Sequence, residues 1–297
     1  MSILSSTQGT PERVWSLIVA LSAGGGTLQR SEAADLLNPR FIQDGQIVQD
    51  EGFNQTLGAA TSLGVVQVDE VDKAILRLNS SCLANDYITF GDWVHDRFIS
   101  LNSGEKDAVL LQTYAWIAVE SHRQNSVRWI QEWTSSDFAD AADKALPEGT
   151  DDDGNRRINT TKLPSWRRWL ICLGLLVPMP LSIQAHPAAA ARATRELKNA
   201  EIQRGTEIPA DEFLKVLNAR LPYLDGGRMF LEAAKRLEYV PSPRQLSPLL
   251  SATLRNLDDE KVIELLIRGD AGNVVRLSEA THKVQSFHAV VVSRGTV

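Results

Sequence analysis

Apolar residues near the start of the chain recur at the spacing of an amphipathic helix. The helix is expected to begin at Pro11, because Thr10 offers an N-cap hydroxyl and proline is tolerated in a first helical turn. Its apolar positions lie three or four residues apart and are Val14, Trp15, Leu17, Ile18 and Leu21. The glycines at 24–26 are expected to end the helix.

A second, short helix is predicted between Ser31 and Leu37, and a third from about Phe53 to Leu63. The apolar runs 65–68 and 74–78 then flank an acidic turn and predict a β-hairpin. Three helices followed by a hairpin is the element order of a winged helix, a helix-turn-helix variant whose third helix usually contacts DNA. Residues 1–82 are therefore interpreted as an N-terminal winged helix.

The same order of elements is predicted for residues 201–297. Amphipathic patterns predict helices at 208–220 and 226–238, and a further helix at about 246–257. Two apolar runs then flank a turn rich in Gly, Asp and Asn at 269–273, which is typical of a hairpin. This segment is interpreted as a C-terminal winged helix.

Residues 83–200 show a less regular pattern. Two tryptophan-rich helices are predicted within 105–146, and another helix from about Pro164 to Leu173 leads into Gly174 and an apolar stretch. This order resembles the end of the first module, so 83–200 is interpreted as a helical, degenerate winged-helix-like middle domain. The predicted fold class is mainly α with short β-hairpins, arranged as tandem winged-helix modules.

Composition indicates a globular chain with no membrane segment. Of 297 residues, 43% are hydrophobic and 23% are charged, which is an ordinary balance for a folded domain. The first residues lack the basic and apolar regions of a secretory signal, and the most apolar run, 169–181, is too short to cross a bilayer. The two cysteines, Cys82 and Cys172, are expected to be free thiols in a reducing compartment. We therefore expect a cytoplasmic protein.

The net charge of −6 conceals a strong local pattern. Residues 1–82 carry −4, residues 83–153 carry −9, residues 154–200 carry +7, and residues 201–297 are neutral. Binding to nucleic acid depends on local patches rather than on the total, so the overall acidity does not exclude it.

The basic segment 155–170 is the candidate nucleic-acid-binding site. It contains five cations and no acidic residue: Arg156, Arg157, Lys162, Arg167 and Arg168. Arginines on a reader helix can neutralise phosphates and hydrogen-bond base edges, and the hydroxyls of Thr160 and Thr161 could donate to a phosphate near the helix start. Arg167 and Arg168 would bind phosphates or base edges of double-stranded DNA, and Arg156, Arg157 and Lys162 would supply steering charge.

A different interpretation of the same segment stays open. Trp166 and Trp169 are three residues apart and so share nearly one helix face, which is also the pattern of core residues. The arginines could then pair with the acidic stretch before them, or with a partner protein.

The other two modules are weaker candidates for DNA contact. The third helix of the first module has no Lys or Arg, although Asn54, Gln55 and Thr56 could read bases, and its wing turn is acidic. The last module offers Arg244, Arg255, Arg268 and Arg276, but acidic residues offset them. Contact with a protein is at least as well supported for the first module, and the last is undecided.

No sequence motif indicates catalysis. The chain lacks GxxxxGK[ST], HExxH, GxSxG and GxGxxG, and its five histidines show no metal-ligand spacing. We therefore expect no enzymatic activity, no cofactor and no metal.

Three features resemble the DpdG family: the opening TPERVW, the winged-helix order that follows it, and the phrase WRRW followed by LGL. Members of that family are encoded in bacterial gene clusters that place 7-deazaguanine derivatives in DNA and restrict DNA lacking them. The resemblance implies a component of a multi-protein defence system that works beside helicase or ATPase partners. It assigns no active site, so no catalytic residue is carried over.

The sequence thus favours a non-catalytic, DNA-associated accessory or adaptor protein of a modification and restriction system. One alternative is a protein-interaction scaffold without direct DNA contact. Another is a winged-helix transcriptional regulator, which predicts a symmetric dimer and a palindromic site.

Overall fold

The chain is mainly helical, with short antiparallel strands between the helices, which confirms the predicted fold class at this level. The computed structural model describes residues 2–39, 41–43, 46–48, 52–82, 84–150, 154–179, 185–268, 272–279 and 281–295. The chain forms two units: Met1–Asp107 with Gly149–Leu173, and Ala108–Glu148 with Gly174–Val297. The division of the chain into the modules 1–82, 83–200 and 201–297 stays a prediction.

The elements up to residue 108 are, in chain order, α1 (Pro11–Ala23), β1 (Thr27–Gln29), α2 (Arg30–Leu37), β2 (Phe41–Gln43), β3 (Gln46–Val48), α3 (Gly52–Ser62), β4 (Val66–Val68), β5 (Ile75–Leu78), α4 (Tyr87–Ile99) and a 3-10 turn (Lys106–Ala108). The elements of the middle are α5 (Val109–Gln124), α6 (Trp129–Glu132), α7 (Ser135–Ala145), α8 (Leu163–Leu173), β6 (Leu176–Pro178), β7 (Ala185–Pro187) and α9 (Ala190–Asn199). The last elements are β8 (Glu207–Pro209), α10 (Ala210–Arg220), α11 (Arg228–Arg236), α12 (Pro248–Asp259), β9 (Ile263–Leu266), β10 (Val275–Arg276), β11 (Ser286–Phe287) and β12 (Ala289–Val292).

The first helix begins and ends where its sequence predicts. The side chain of Thr10 accepts a hydrogen bond from the backbone N–H of Arg13, and Pro11 occupies the first turn. Gly25 and Gly26 follow the helix with φ of 72° and 91°, a conformation that side chains with a Cβ disfavour. The apolar stripe of α1 is buried, as its helical spacing requires.

The sheet of the first unit has three antiparallel strands in the order β1-β5-β4. The predicted hairpin is β4–β5, with Val66 opposite Leu78. Strand β1 was not predicted from sequence. It forms because the residues that link α1 to α2 run beside β5, where Leu28 pairs with Leu76. The chain thus places a strand between its first two helices and adds it to the hairpin.

Residues 2–9 of the first unit are held by hydrogen bonds to side chains far along the chain. The carboxylate of Asp107 accepts from the hydroxyl of Ser2 at 2.8 Å, from the backbone N–H of Ile3 at 3.0 Å, and from the hydroxyl of Ser62 at 2.6 Å. Because Asp107 is buried, its carboxylate loses contact with water. These hydrogen bonds replace the ones that water would make. The amino-terminal segment is therefore part of the core structure.

Helices α4 and α8 pack closely in the same unit. Gly91 on α4 faces the backbone carbonyl of Cys172, where an added Cβ would lie only 2.7 Å from the oxygen. Nearby, the indole of Trp169 contacts the rings of Phe90 and Phe98 at centroid distances of 6.5 and 6.4 Å. The absence of a side chain at Gly91 is what permits this approach of the two helices.

The second unit is built around α5, in which every residue from Val109 to His122 is buried. Helices α11 and α12 both contact it. A helix that is apolar or buried on all sides lies inside a fold rather than on its surface. The segment 105–146 contains three helices, α5 to α7, where the sequence predicted two.

The C-terminal strands pair differently from the sequence prediction. The prediction paired the runs on either side of 269–273 as one hairpin, but β9 pairs with β12, and β10 pairs with β11. That prediction was wrong because β12 is the longer apolar partner: its Val290 lies between Ile208 of β8 and Leu265 of β9 and is fully buried. Gly272 and Asn273 are described, whereas residues 269–271 of the predicted turn lie outside the described residues.

Within the described parts of the chain, no helix combines the length and the apolar character needed to cross a bilayer. Cys82 and Cys172 are both buried thiols, and burial raises the pKa of the Cys82 thiol.

Replacing Gly91 by Ala is expected to destabilise the first unit by about 1–3 kcal/mol, because the new Cβ overlaps a backbone oxygen that cannot rotate away. Helix propensity alone would change stability in the opposite direction by about 1 kcal/mol. Urea unfolding monitored by tryptophan fluorescence measures the difference. Gly104→Ala is the matched control, because nothing lies within 4 Å of its Cβ position. Equal stability of the two variants would contradict the close packing of α4 and α8.

Candidate nucleic-acid interface

Helix α8, which carries the predicted basic site, has one apolar face inside the first unit. The buried residues of this helix are Leu163, Ser165, Trp166, Trp169, Leu170, Cys172 and Leu173. Trp166 and Trp169 are 2% and 0% exposed, so both tryptophans are core residues. The indole N–H of Trp169 donates to the backbone carbonyl of Gly9 at 3.1 Å, which satisfies the one polar group of this ring. The core packing of the tryptophans fixes which side of α8 meets solvent.

The exposed side of α8 carries Pro164, Arg168 and Ile171, which are spaced four and three residues apart. Arg168 therefore lies on the outward stripe of the helix. Arg167 lies beside this stripe and is half-buried. Partial burial lowers the pKa of Arg167 below the ordinary arginine value, although a guanidinium remains charged at neutral pH. Both arginines are thus presented as cations on one side of the helix.

Two of the predicted binding residues are buried in the loop before α8. Arg157 is 7% exposed and donates to the backbone carbonyl of Glu105 at 3.0 Å. Lys162 is 5% exposed, and its ammonium donates to the carbonyls of Arg156 and Arg157 at 2.6 and 3.4 Å. These cations hold the loop together through charge-assisted hydrogen bonds to the backbone. The structure therefore uses them inside the unit, whereas Arg156 is exposed.

The two predicted threonines lie at the start of α8, and both are exposed. Asn159 organises this turn: its side-chain oxygen accepts from the N–H groups of Thr161 and Lys162, both at 3.1 Å, and from the Thr161 hydroxyl at 2.7 Å. An Asn side chain that accepts from the next N–H groups is a common start of a helix. The hydroxyl of Thr161 is therefore held by Asn159.

We name Arg156, Thr160, Thr161, Arg167 and Arg168 the arginine surface. These are the members of the predicted site that the structure leaves exposed or half-exposed, all within α8 or the loop before it. Asp151, Asp152 and Asp153, the part of the acidic stretch nearest to this surface in sequence, lie outside the described residues.

Helix α3, the third helix of the first predicted module, has its polar side chains engaged within the unit. The side-chain oxygen of Gln55 accepts from the hydroxyl of Ser6 and the N–H of Gln8, both at 3.0 Å. The hydroxyl of Thr56 donates to the carbonyl of Gln8 at 3.1 Å. Asn54 accepts from Arg30 at 3.0 Å. The amino-terminal segment therefore occupies Gln55 and Thr56, and Arg30 of α2 occupies Asn54.

The turn between β4 and β5 is acidic and rigid. One oxygen of Asp69 accepts from the N–H groups of Val71 and Asp72, both at 2.9 Å, and the other accepts from Arg77 at 2.7 Å. These bonds, led by the one from Asp72, lower the pKa of Asp69 to about 2. Val71 is 97% exposed at this turn. An apolar side chain is thus presented on a preorganised acidic loop.

Three of the four C-terminal arginines considered from sequence have partners within the second unit. The buried guanidinium of Arg255 donates to the carbonyls of Ser278 at 2.6 Å and Val284 at 2.8 Å. Arg268 pairs with Glu207 at 2.6 Å, and Arg244 donates to Asn273 at 3.1 Å. The fourth, Arg276, is exposed on β10. Three of these four positive charges therefore contribute to the structure of the second unit.

Sequence reasoning missed a polar cluster in the second unit. His122 at the end of α5 makes two hydrogen bonds, to the hydroxyl of Tyr239 at 2.6 Å through Nδ1 and to the carbonyl of Gln245 at 2.8 Å through Nε2. Buried Asp225 accepts from the hydroxyl of Ser247 at 2.6 Å, and burial raises the pKa of Asp225. More than a hundred residues separate His122 from its partners, so no local motif could reveal the cluster.

Replacing Lys162 by Met is expected to lower the free energy of unfolding by about 1–3 kcal/mol, because two buried carbonyls lose their donor while the shape of the side chain is nearly kept. The exposed position of Arg168 makes Arg168→Gln the matched control, with an expected change within about 0.5 kcal/mol. Urea unfolding compares the two. A Lys162→Met variant as stable as Arg168→Gln would contradict the structural role assigned to Lys162.

Comparison of the chain with curated proteins and with solved structures gives no match. Comparison with protein families matches the family described as DpdG-like over residues 1–271, which includes every element from α1 to β9 together with the arginine surface. Because this match extends over most of the sequence, the chain belongs to the DpdG-like family.

Proposed function

We propose that the protein is a non-catalytic accessory component of the dpd system that contacts double-stranded DNA through the arginine surface, in the cytoplasm. Membership of the DpdG-like family supports the link to this defence system. The observation that carries the DNA contact is the orientation of α8: its tryptophan face is buried, and Arg168 with Arg167 lies on the other side. A helix of this kind can present guanidinium groups to phosphates and to base edges.

The strand order of both units supports an interpretation as tandem winged-helix modules. In the first unit the strand after α1 pairs with the second strand of the hairpin, giving β1-β5-β4. In the second unit the strand before α10 pairs with β12, which also pairs with β9, giving the related order β8-β12-β9. A helix-turn-helix that carries a wing is expected to have such a sheet. Its first strand joins a pair of strands that follows the third helix.

The small size of the arginine surface favours an accessory role over independent binding. Its three arginines could neutralise about three phosphates, which would weaken binding by only about 40-fold between 50 and 200 mM salt. Proteins that bind DNA by themselves usually make six to ten such contacts, as an order of magnitude. Additional affinity would therefore come from protein partners in the same system, such as a helicase or ATPase.

Replacing Arg167 and Arg168 together by Glu is expected to abolish salt-sensitive binding to duplex DNA, measured by fluorescence anisotropy at 50 mM salt and above. The neutral variant Arg167→Gln/Arg168→Gln should flatten the plot of log affinity against log salt by about 1.8, since each lost phosphate contact contributes about 0.9.

The matched control is Lys215→Glu/Lys235→Glu, which makes the same change in net charge at two exposed lysines on α10 and α11. This variant should retain binding. Equal losses of affinity in both double variants would indicate a general charge effect. If the parent protein binds DNA and the changes at Arg167 and Arg168 leave its affinity unaltered, the assignment is refuted.

The β4–β5 turn favours a second candidate function, an interaction scaffold. Val71 is 97% exposed on a turn whose backbone is fixed by Asp69, and Glu70 and Asp72 flank it with negative charge. Preorganised turns lose little conformational entropy on binding, so an apolar tip of this kind can contribute strongly to an interface. The partner expected from its chemistry is a protein with an apolar pocket bordered by basic residues.

Replacing Val71 by Ser is expected to weaken such a complex by about tenfold, because a central apolar anchor typically contributes more than about 1 kcal/mol. The measurement is the affinity for each protein encoded in the same gene cluster, after nuclease treatment. Val240→Ser, at a valine that is 87% exposed elsewhere, should leave the affinity unchanged. If neither substitution changes the affinity, the complex does not use this turn.

A further inference from the structure

A polar cavity in the second unit lies at the end of α5. It is open to solvent, has a volume of about 580 Å³ and is bounded by α5, by the segment 239–245 and by the β10–β11 region. We name it the His122 cavity; its walls include His122, Arg123, Tyr239, Gln245, Arg276 and Ser286. Sites for small molecules typically have volumes of about 300–1,000 Å³, so the cavity has the size of a small-molecule site.

Hydrogen bonds fix the orientation of the aromatic groups in the wall. The carbonyl of Gln245 can only accept, so the Nε2 atom of His122 carries a proton and donates to it. In a neutral imidazole Nδ1 is then an acceptor, and the hydroxyl of Tyr239 donates to it at 2.6 Å. Burial and the nearby Asp225 carboxylate raise the pKa of Tyr239, so its hydroxyl stays protonated. The phenol oxygen retains lone pairs for another hydrogen bond.

Two guanidinium groups provide the charge of the wall. Arg123 is held at 3.0 Å by Glu120, a nearly buried carboxylate that fixes its position. Arg276 is exposed on β10. The carboxylate of Glu279 also lines the cavity and is directed to Arg255, 3.9 Å away. Arginine forks suit phosphate oxygens because they donate two parallel hydrogen bonds.

The end of helix α5 opposes an anion only weakly here. The last carbonyls of a helix carry partial negative charge, which disfavours an anionic ligand. The carbonyl of His122 accepts from the N–H of Asn125 at 3.3 Å, and that of Ser121 accepts from the N–H of Ser126 at 3.2 Å. These bonds cap the helix end and reduce its effect on the cavity.

Several residues with left-handed φ lie around the same cavity. The described residues include five that are not glycine and have left-handed φ: Asn125, Glu238, Arg244, Lys261 and Glu279. Asn125 and Glu279 line the cavity, and Glu238 and Arg244 are adjacent in sequence to the wall residues Tyr239 and Gln245. Asn125 and Glu238 follow the ends of α5 and α11, where a left-handed residue is a common helix cap, so their conformation shapes the wall and does not by itself indicate a ligand.

We propose that the His122 cavity binds a phosphate group carried by a molecule of nucleotide size, with Arg123 and Arg276 on the phosphate and Tyr239 and Gln245 hydrogen-bonded to the remainder. The phosphate could belong to a free nucleotide or to the end of a nucleic-acid strand, and the chemistry of recognition is shared. The proposal is independent of DNA contact by the arginine surface.

Isothermal titration calorimetry of the full chain tests the proposal with four probes: inorganic phosphate, deoxyguanosine monophosphate, deoxyguanosine, and a 5′-phosphorylated trinucleotide. We expect binding of a phosphate-bearing probe and at least tenfold weaker binding of deoxyguanosine. Preference for the monophosphate would identify a free nucleotide, and preference for the trinucleotide would identify a strand end. Equal binding of nucleoside and nucleotide, or no binding of any phosphate-bearing probe at millimolar concentration, would overturn the proposal.

Variants locate the site. Arg276→Gln and Tyr239→Phe should each weaken binding at least fivefold, whereas Arg228→Gln, at an exposed arginine of α11 outside the cavity, should not. Arg167→Glu/Arg168→Glu should keep full affinity, so that failure of the DNA proposal and failure of this one are distinguishable. Loss of affinity in Arg228→Gln equal to that in Arg276→Gln would also refute the assignment.

Discussion

Burial of Trp169 is the interaction on which the first unit depends. This large side chain contributes a substantial apolar surface to the core, but its N–H must find an acceptor, and the carbonyl of Gly9 supplies it. One indole therefore joins α8 to the amino-terminal segment. That segment in turn hydrogen-bonds Gln55 and Asp107, so the packing of α8, the ordering of residues 2–9 and the covering of α3 form one connected arrangement.

Sequence periodicity predicted the elements whose stabilising contacts are local. Helix α1 and hairpin β4–β5 were both expected, because caps, apolar spacing and turn residues lie within each element. Strand β1 was missed because three residues cannot display a period, and the partner of β9 was wrong because pairing with β12 joins segments over twenty residues apart. Pairing between distant strands depends on contacts in the assembled core, and a local sequence pattern does not show those contacts.

The same limit applies to the candidate site. Arg157, Lys162 and Arg168 carry the same charge, so the sequence did not distinguish them. The structure buries Arg157 and Lys162 against backbone carbonyls and exposes Arg168. Burial of a cation requires acceptors in the right geometry, and the acceptors here are backbone oxygens that no composition reveals. The tryptophan spacing was informative, because it predicted one helix face, and the opposite side of that helix is where Arg168 lies.

The two units offer physically different modes of recognition. A few arginines on a convex helix act mainly through charge, so their contribution is weak alone, falls with salt and suits a long polyanion. The His122 cavity has room only for a small group, and its discrimination would come from the Arg123 donor held by Glu120 and from the Tyr239 oxygen oriented by His122. Because a ligand with one phosphate releases fewer counterions than duplex DNA, the proposed binding in the cavity and the proposed binding on the helix would differ in their response to ionic strength. That difference separates the two activities even when both ligands carry phosphate.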